Sequence, residues 1–213
     1  MNTTGKIIHK SNYIVIKQVL SKEVCQLLSQ YAVLKSSISP NVKKDMMVNI
    51  HREYGDPMME TLLEQLTPLI EKATDTELWP TLSFYYTYKK GNRLNKHKDK
   101  SCCQIVAGLC IGADEAFVNR HGTWPLVLNI NGEAEPISLD FGDILVFRGH
   151  ETEHWRDVFT GEWFVSAIFG YVDRKGPFAF QKYDQRSALG KPHIGMFRWS
   201  FGCLKQQLKN WLS

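Results

Sequence analysis

The chain of 213 residues carries 26 Lys and Arg against 22 Asp and Glu, a formal charge of +4, and is 43% hydrophobic, 23% charged and 12% aromatic. At roughly 100–200 residues per domain, this length fits a single domain over 1–213, and the composition excludes disordered, coiled-coil and fibrous classes. The charge is mild enough to reflect solubility alone and does not specify an anionic partner. The five cysteines, at positions 25, 102, 103, 110 and 203, are odd in number and include an adjacent pair, which is a poor disulfide framework. Reduced thiols in an intracellular protein are expected. Lys, His and Asn interrupt every apolar run of the amino terminus, and no stretch approaches the roughly 18 apolar residues of a membrane span, so a cytoplasmic location without a membrane partner is expected.

In chain order, Ser21 caps a predicted helix whose apolar stripe is Val24, Leu27, Leu28, Tyr31 and Leu34. A second begins at Asp56-Pro57, a favoured cap followed by a favoured first-turn residue, and offers Met58, Leu62, Leu63, Leu66, Leu69 and Ile70 to a core. Together they form a helical buttress over about 20–75. Beyond Pro80 the texture changes to short β-rich runs, TLSFYYTYK, CQIVAGLCI, WPLVLNI, PISL, DILVFR and WFVSAIFGYV, separated by Gly, Asn and Asp turns. The expected fold class is α+β, mainly β: a sandwich or jelly roll over about 80–175 behind N-terminal helices. An extension over 176–213 follows, with LKQQLKNWL near its end reading as a short amphipathic helix.

Two His-x-acid triplets occur, His51-Arg-Glu53 and His97-Lys-Asp99, and the triplet alone carries no weight. Context separates them. His51 leads into the second helix, whereas His97 follows a β-run and the turn Lys89-Lys-Gly91-Asn92. On an extended segment residues i and i+2 share a face, so His97 and Asp99 present an imidazole and a carboxylate to one point. Two histidines and one carboxylate with open positions are the facial triad of non-haem Fe(II) sites. The region after Phe141-Gly-Asp143 offers His150 and His154, and spacing does not choose between them.

The run Tyr88-x-x-Gly91-x-x-Leu94-x-x-His97-x-Asp99, followed by Gly142-Asp143-Ile-Leu-Val-Phe147 and His154, resembles the 2-oxoglutarate- and Fe(II)-dependent oxygenases, most closely their prolyl-4-hydroxylase-like branch. Tyr54-Gly-Asp-Pro57, Arg148-Gly-x-Glu-x-Glu-His-Trp-Arg156 and Phe159-Thr-Gly161 resemble small bacterial and phage members. The resemblance spans roughly residues 12–185. It implies a double-stranded β-helix (jelly roll) with flanking helices, room for an eight-stranded barrel and no separate recognition domain, and the iron ligands His97, Asp99 and His154. It also implies 2-oxoglutarate as cosubstrate and O2 as oxidant, with ascorbate as support, giving succinate, CO2 and a hydroxylated C–H bond.

Members of that family usually carry a basic residue about ten positions beyond the distal histidine, often two before Ser or Thr, to hold the distal carboxylate of 2-oxoglutarate. Here position 164 is Phe and position 162 is Glu, although Ser166 is present. If His154 points inward, Arg156 at i+2 does too, and a buried guanidinium demands an anion. Arg156 is therefore the expected anchor, with Ser166, Tyr88 and Tyr86 as cosubstrate-binding neighbours; the competing reading pairs Arg156 with Glu151, Glu153 or Asp157. Tyr85 reads as core, Cys102-Cys103 as buried thiols, Trp124 as either roof or loop anchor, and His121 and His150 as solvent-facing. The lysine-rich stretch Lys89–Lys100, with Arg93, guides an anion or solvates a loop. The leading expectation is a hydroxylase of an amino-acid side chain in a peptide, a protein or a free amino acid. Oxidation of nucleic acid and a non-catalytic metal-binding module are the alternatives.

Overall fold

The computed structural model describes residues 6–10, 12–38 and 50–191. Among these, eleven strands run in chain order: β1 Ile7–His9, β2 Tyr13–Ile16, β3 His51–Tyr54, β4 Leu78–Lys89, β5 Leu94–His97, β6 Ile105–Ala113, β7 Leu126–Ile130, β8 Glu133–Ile137, β9 Ile144–Phe147, β10 His154–Arg156 and β11 Trp163–Asp173. Three helices accompany them, α1 Lys22–Ile38, α2 Pro57–Thr74 and α3 Glu115–His121. Every strand pair is antiparallel, in a seven-stranded sheet of order β1-β2-β9-β6-β11-β4-β3 and a four-stranded sheet of order β5-β10-β7-β8. One apolar cluster fills the space between the large sheet and α1 and α2; a second fills the interior between the sheets. This is the mainly β jelly roll with N-terminal helices, extended by β1 to β3 beyond an eight-stranded barrel.

The long strand β4 divides these clusters. Alternation sends Tyr85 and Thr87 toward the helices, where Thr87 Oγ1 donates to the Ala32 carbonyl at 3.4 Å, and sends Tyr86 and Tyr88 into the interior. Helix α2 begins as expected: Asp56 Oδ1 accepts from the Met58 and Met59 amides at 3.0 and 3.4 Å with Pro57 in the first turn. The other oxygen of Asp56 takes Lys35 Nζ at 2.6 Å and the Tyr31 hydroxyl at 2.7 Å, tying α1 to α2.

Several expectations need correction. Ser21 caps α1 with a 3.4 Å bond from the Val24 amide, but the buried face is Cys25, Leu28, Ser29 and Ala32, while Val24, Leu27 and Leu34 are exposed. Small residues face the sheet because the helix lies close to it; a Cβ on Gly112 would collide with Ser29 Oγ. Met58 is likewise exposed and Met59 buried in its place. His51 belongs to strand β3, and Cys103, which opens the CQIVAGLCI run, lies with Cys102 in a 3₁₀ turn at Ser101–Cys103 ahead of β6. The four described cysteines are buried free thiols. The LKQQLKNWL segment lies outside the described residues.

Beyond β11 the chain returns to the start of α2, where Arg186 donates to Glu60 Oε1 at 2.6 Å and to the Thr81 carbonyl at 3.1 Å. The two side chains are 1% and 3% exposed, so neither charge has water as an alternative partner. Arg186→Met is expected to lower unfolding free energy in urea by about 3–5 kcal/mol, because it strands the Glu60 carboxylate, and the Glu60→Met/Arg186→Met double variant recovers most of the loss.

Candidate metal centre

The candidate ligands come from one cross-strand pair and the residue two beyond it. In the β5–β10 ladder His154 lies opposite His97, and His154 also faces Leu128 on β7. The turn before β5 holds this register. The Lys89 amide donates to Asn92 Oδ1 at 2.7 Å, Gly91 takes a φ of +85°, and the Gly91 amide donates to the Phe159 carbonyl at 2.9 Å. The Phe159 amide returns a 2.8 Å bond to Asn92, which pins the turn to the segment that leaves β10.

The ligating atoms of His97, Asp99 and His154 all lie within 4.8 Å of one another. His97 Nε2 is 3.6 Å from Asp99 Oδ1, and His154 Nε2 is 3.6 Å from Asp99 Oδ2. Each imidazole uses its other nitrogen on a carbonyl: His97 Nδ1 sits 2.8 Å from Asn95 O and His154 Nδ1 3.0 Å from Thr152 O. A proton on Nδ1 satisfies each carbonyl and leaves the Nε2 lone pair for a cation. Burial pushes the His154 proton affinity down, toward the neutral form that ligates metal. Burial also lowers that of His97, but the Asp99 carboxylate and the Asn95 carbonyl outweigh it and leave it raised.

Asp99 Oδ2 is buried without a hydrogen-bond partner, an expensive state for a carboxylate oxygen that a metal ion would relieve. The Asp99 amide donates to the Gly149 carbonyl at 2.9 Å, and a Cβ on Gly149 would stand 2.5 Å from Asp99 Oδ2. Two imidazoles and one carboxylate, with no thiolate among them, fit a divalent ion of the non-haem iron kind. The site opens on one side: His154 is 2% exposed, whereas the His97 and Asp99 side chains are 26% and 17% exposed.

The remaining candidates separate clearly. His150 has Nδ1 3.2 Å from Gln104 O and its ring edge on Phe178, away from the triad. His51 and Glu53 approach to 3.2 Å on the outer face of β3, with Tyr85 beside them and no second histidine. Cys102 and Cys103 stand outside the ligand cluster.

Two residues along β10, Arg156 is 8% exposed and points inward. Among the described residues it forms no ion pair, so the alternative partners Glu151, Glu153 and Asp157 are not engaged. It donates to the Trp124 carbonyl, and its guanidinium lies 4.8 Å from the Phe164 ring centroid and 4.9 Å from that of Trp124. The ring at position 164 therefore supports the guanidinium that β10 supplies. Burial lowers the Arg156 proton affinity, with Tyr88 and Cys110 opposing. Burial pushes the Tyr88 hydroxyl up to about 12 and the Cys110 thiol up to about 12, so both stand there as neutral donors. Ser166 lies between Tyr86 on β4 and Cys110 on β6, on the same interior face. Trp124 both anchors its loop, against Tyr88, Phe159 and Phe164, and packs on the Arg156 guanidinium. Sequence reasoning missed Cys110, the Trp124 carbonyl and Gly149; only the Gly149 position, beside the Glu-x-Glu-His segment, carried any signal.

Gly149→Ala is expected to push the Asp99 carboxylate off its position and weaken Ni(II) or Co(II) binding about 10–100-fold by calorimetry, and also to lower the metal-free melting temperature, because its Cβ would stand 2.5 Å from the buried Val106 Cγ2.

No family model matches the sequence, and no curated relative does. Solved structures do. A prolyl-4-hydroxylase from Pseudomonas putida aligns with TM-score 0.62 at 15% identity, covering 78% of this chain and 94% of that one. The viral collagen prolyl hydroxylase of Paramecium bursaria Chlorella virus-1, in complex with 2-oxoglutarate, aligns with TM-score 0.56 at 14% identity over 76% and 95% of the two chains. HygX from Streptomyces hygroscopicus, with nickel and 2-oxoglutarate bound, aligns with TM-score 0.59 at 10% identity over 77% and 84%. The chain thus has the fold of the 2-oxoglutarate- and Fe(II)-dependent oxygenases of the prolyl-4-hydroxylase kind.

Proposed function

We propose that the protein is an Fe(II)- and 2-oxoglutarate-dependent oxygenase that hydroxylates an amino-acid side chain, free or within a peptide or protein. The observation that carries this reading is the His97–Asp99–His154 donor set standing two residues along one strand face from a buried guanidinium without an anion. A metal module serving structure alone would have no use for the second feature, since a buried unpaired cation is costly.

Bound Fe(II) with 2-oxoglutarate and O2 supplies the oxidation of an unactivated C–H bond. The chain's own work is positional. His97 and His154 offer Nε2 while their Nδ1–H groups are fixed by carbonyls, and Asp99 offers the oxygen that nothing else satisfies. Arg156 presents a planar fork suited to the distal carboxylate of 2-oxoglutarate, with the Tyr88 and Ser166 hydroxyls on the same interior face. The aromatic walls of Tyr88, Trp124 and Phe164 keep water from this contact and so strengthen it.

Incubated with Fe(II), ascorbate and 2-oxoglutarate, the wild type is expected to release succinate, and His97→Ala or Asp99→Ala to abolish it. Absence of cosubstrate binding by metal-loaded wild type overturns the reading. Arg156→Gln is expected to keep the metal and raise the Kd for 2-oxoglutarate about 30-fold or more, as loss of one partner of a buried charge pair does.

A further inference from the structure

We propose that the rim of this site receives a carboxylate of the substrate on Arg52, with the apolar body of the substrate lying on the aromatic shelf of Phe84 and Tyr86; this rests on the oxygenase reading above. Strand β3 is the edge of the large sheet, and Arg52 and Tyr54 pair in register with Tyr86 and Phe84. Directly opposed residues share a face, so Arg52 points to the same side as the inward Tyr86, while His51 and Glu53 point toward α1 with Tyr85.

The half-buried guanidinium of Arg52 lies 5.0 Å from the Phe84 ring centroid. It forms no ion pair among the described residues, whereas Arg148, Arg174 and Arg186 each hold a glutamate. Arg52 adjoins the interior through Tyr86, its register partner, which stacks on Tyr88 at 5.8 Å and faces Ser166 on β11.

The shelf itself is continuous. Ring centroids step 5.1 Å from Tyr54 to Phe84, 5.9 Å to Tyr86, 5.8 Å to Tyr88 and 5.0 Å to Trp124, beside Arg156. One guanidinium stands at the floor of this shelf and one at its rim. The floor cation suits the cosubstrate; the rim cation, half-buried on the edge strand, remains for the substrate, and the candidate metal site opens to solvent at His97 and Asp99. Exposed Lys98 and Lys100, on either side of Asp99, make no ion pair among the described residues and add positive potential to that side. A single planar fork over a ring matches one carboxylate beside an apolar body, and not the regularly spaced phosphates of a nucleic acid, which need a basic stripe.

The test uses the full chain loaded with Ni(II) and saturated with 2-oxoglutarate, titrated with 3-phenylpropanoate and its amide, and with N-acetyl-alanyl-phenylalanine and its amide. Wild type is expected to bind at least one acid about tenfold more tightly than the matching amide, as a charge-assisted pair requires. Arg52→Gln should erase that preference and Arg52→Lys retain part of it, with the Kd for 2-oxoglutarate unchanged in both. Preference for the small acid alone identifies a free carboxylate, and preference for the peptide acid alone a chain end. Equal binding of acid and amide, no binding of any probe, an undiminished preference in Arg52→Gln, or Arg52-dependent binding of single-stranded oligonucleotide in place of the acids overturns the proposal. Failure of 2-oxoglutarate itself to bind appears in the first titration and counts against the oxygenase reading instead.

Discussion

The pairing of His154 with His97 across β10 and β5 is the constraint on which the centre depends. The two residues are far apart in the chain, and only the antiparallel register places both rings on one side, with centroids 4.3 Å apart. Because strand side chains alternate, a slip of one residue would send His154 and Arg156 to the outer face together. The short β10 cannot hold that register alone. It is secured by β7 on its other edge and by the reciprocal bonds between the Gly91–Asn92 turn and Phe159.

The interior of the sandwich is a graded environment. At the triad, polar groups are matched to one another except for the Asp99 oxygen. Deeper in, Arg156 is enclosed by Trp124 and Phe164 rings, with a single carbonyl as acceptor. Burying a guanidinium without a counter-charge is tolerable only when stacking recovers part of the loss and a ligand supplies the rest. The contrast with Arg186, fully matched by Glu60 at the start of α2, separates a cation with a counter-charge from one without.

Much of this was legible in the sequence where short-range rules govern. Asp56-Pro57 announced α2 through its own side-chain bonds, and β11 spans the WFVSAIFGYV run because its alternation serves two buried faces. The His97-x-Asp99 spacing and the inward parity of Arg156 followed from the two-residue period of a strand. What remained hidden depends on neighbours distant in sequence. The apolar stripe of α1 was misplaced because close packing on Gly112 favours small residues over large ones. Strand β3 was invisible because His-Arg-Glu-Tyr has no apolar alternation; its order comes from pairing with β4. Cys110 and the Trp124 carbonyl enter the chamber only through sheet order. His51 and His97 looked alike as triplets; sequence context favoured His97, and the strand opposite it supplies His154.

The placement of Arg156 has a further consequence. In the family pattern the metal ligand and the anchor belong to different strands, so the gap between them is set by how strands pack. Here His154 and Arg156 are neighbours on one strand face, and the span between them is a covalent ruler of two residues, roughly 7 Å. With Arg156 as the anchor proposed above, breathing of the sandwich would move both ends of that ruler together, and tolerance for a shorter or longer dicarboxylate would be limited by the backbone itself and not by the softness of the core around it.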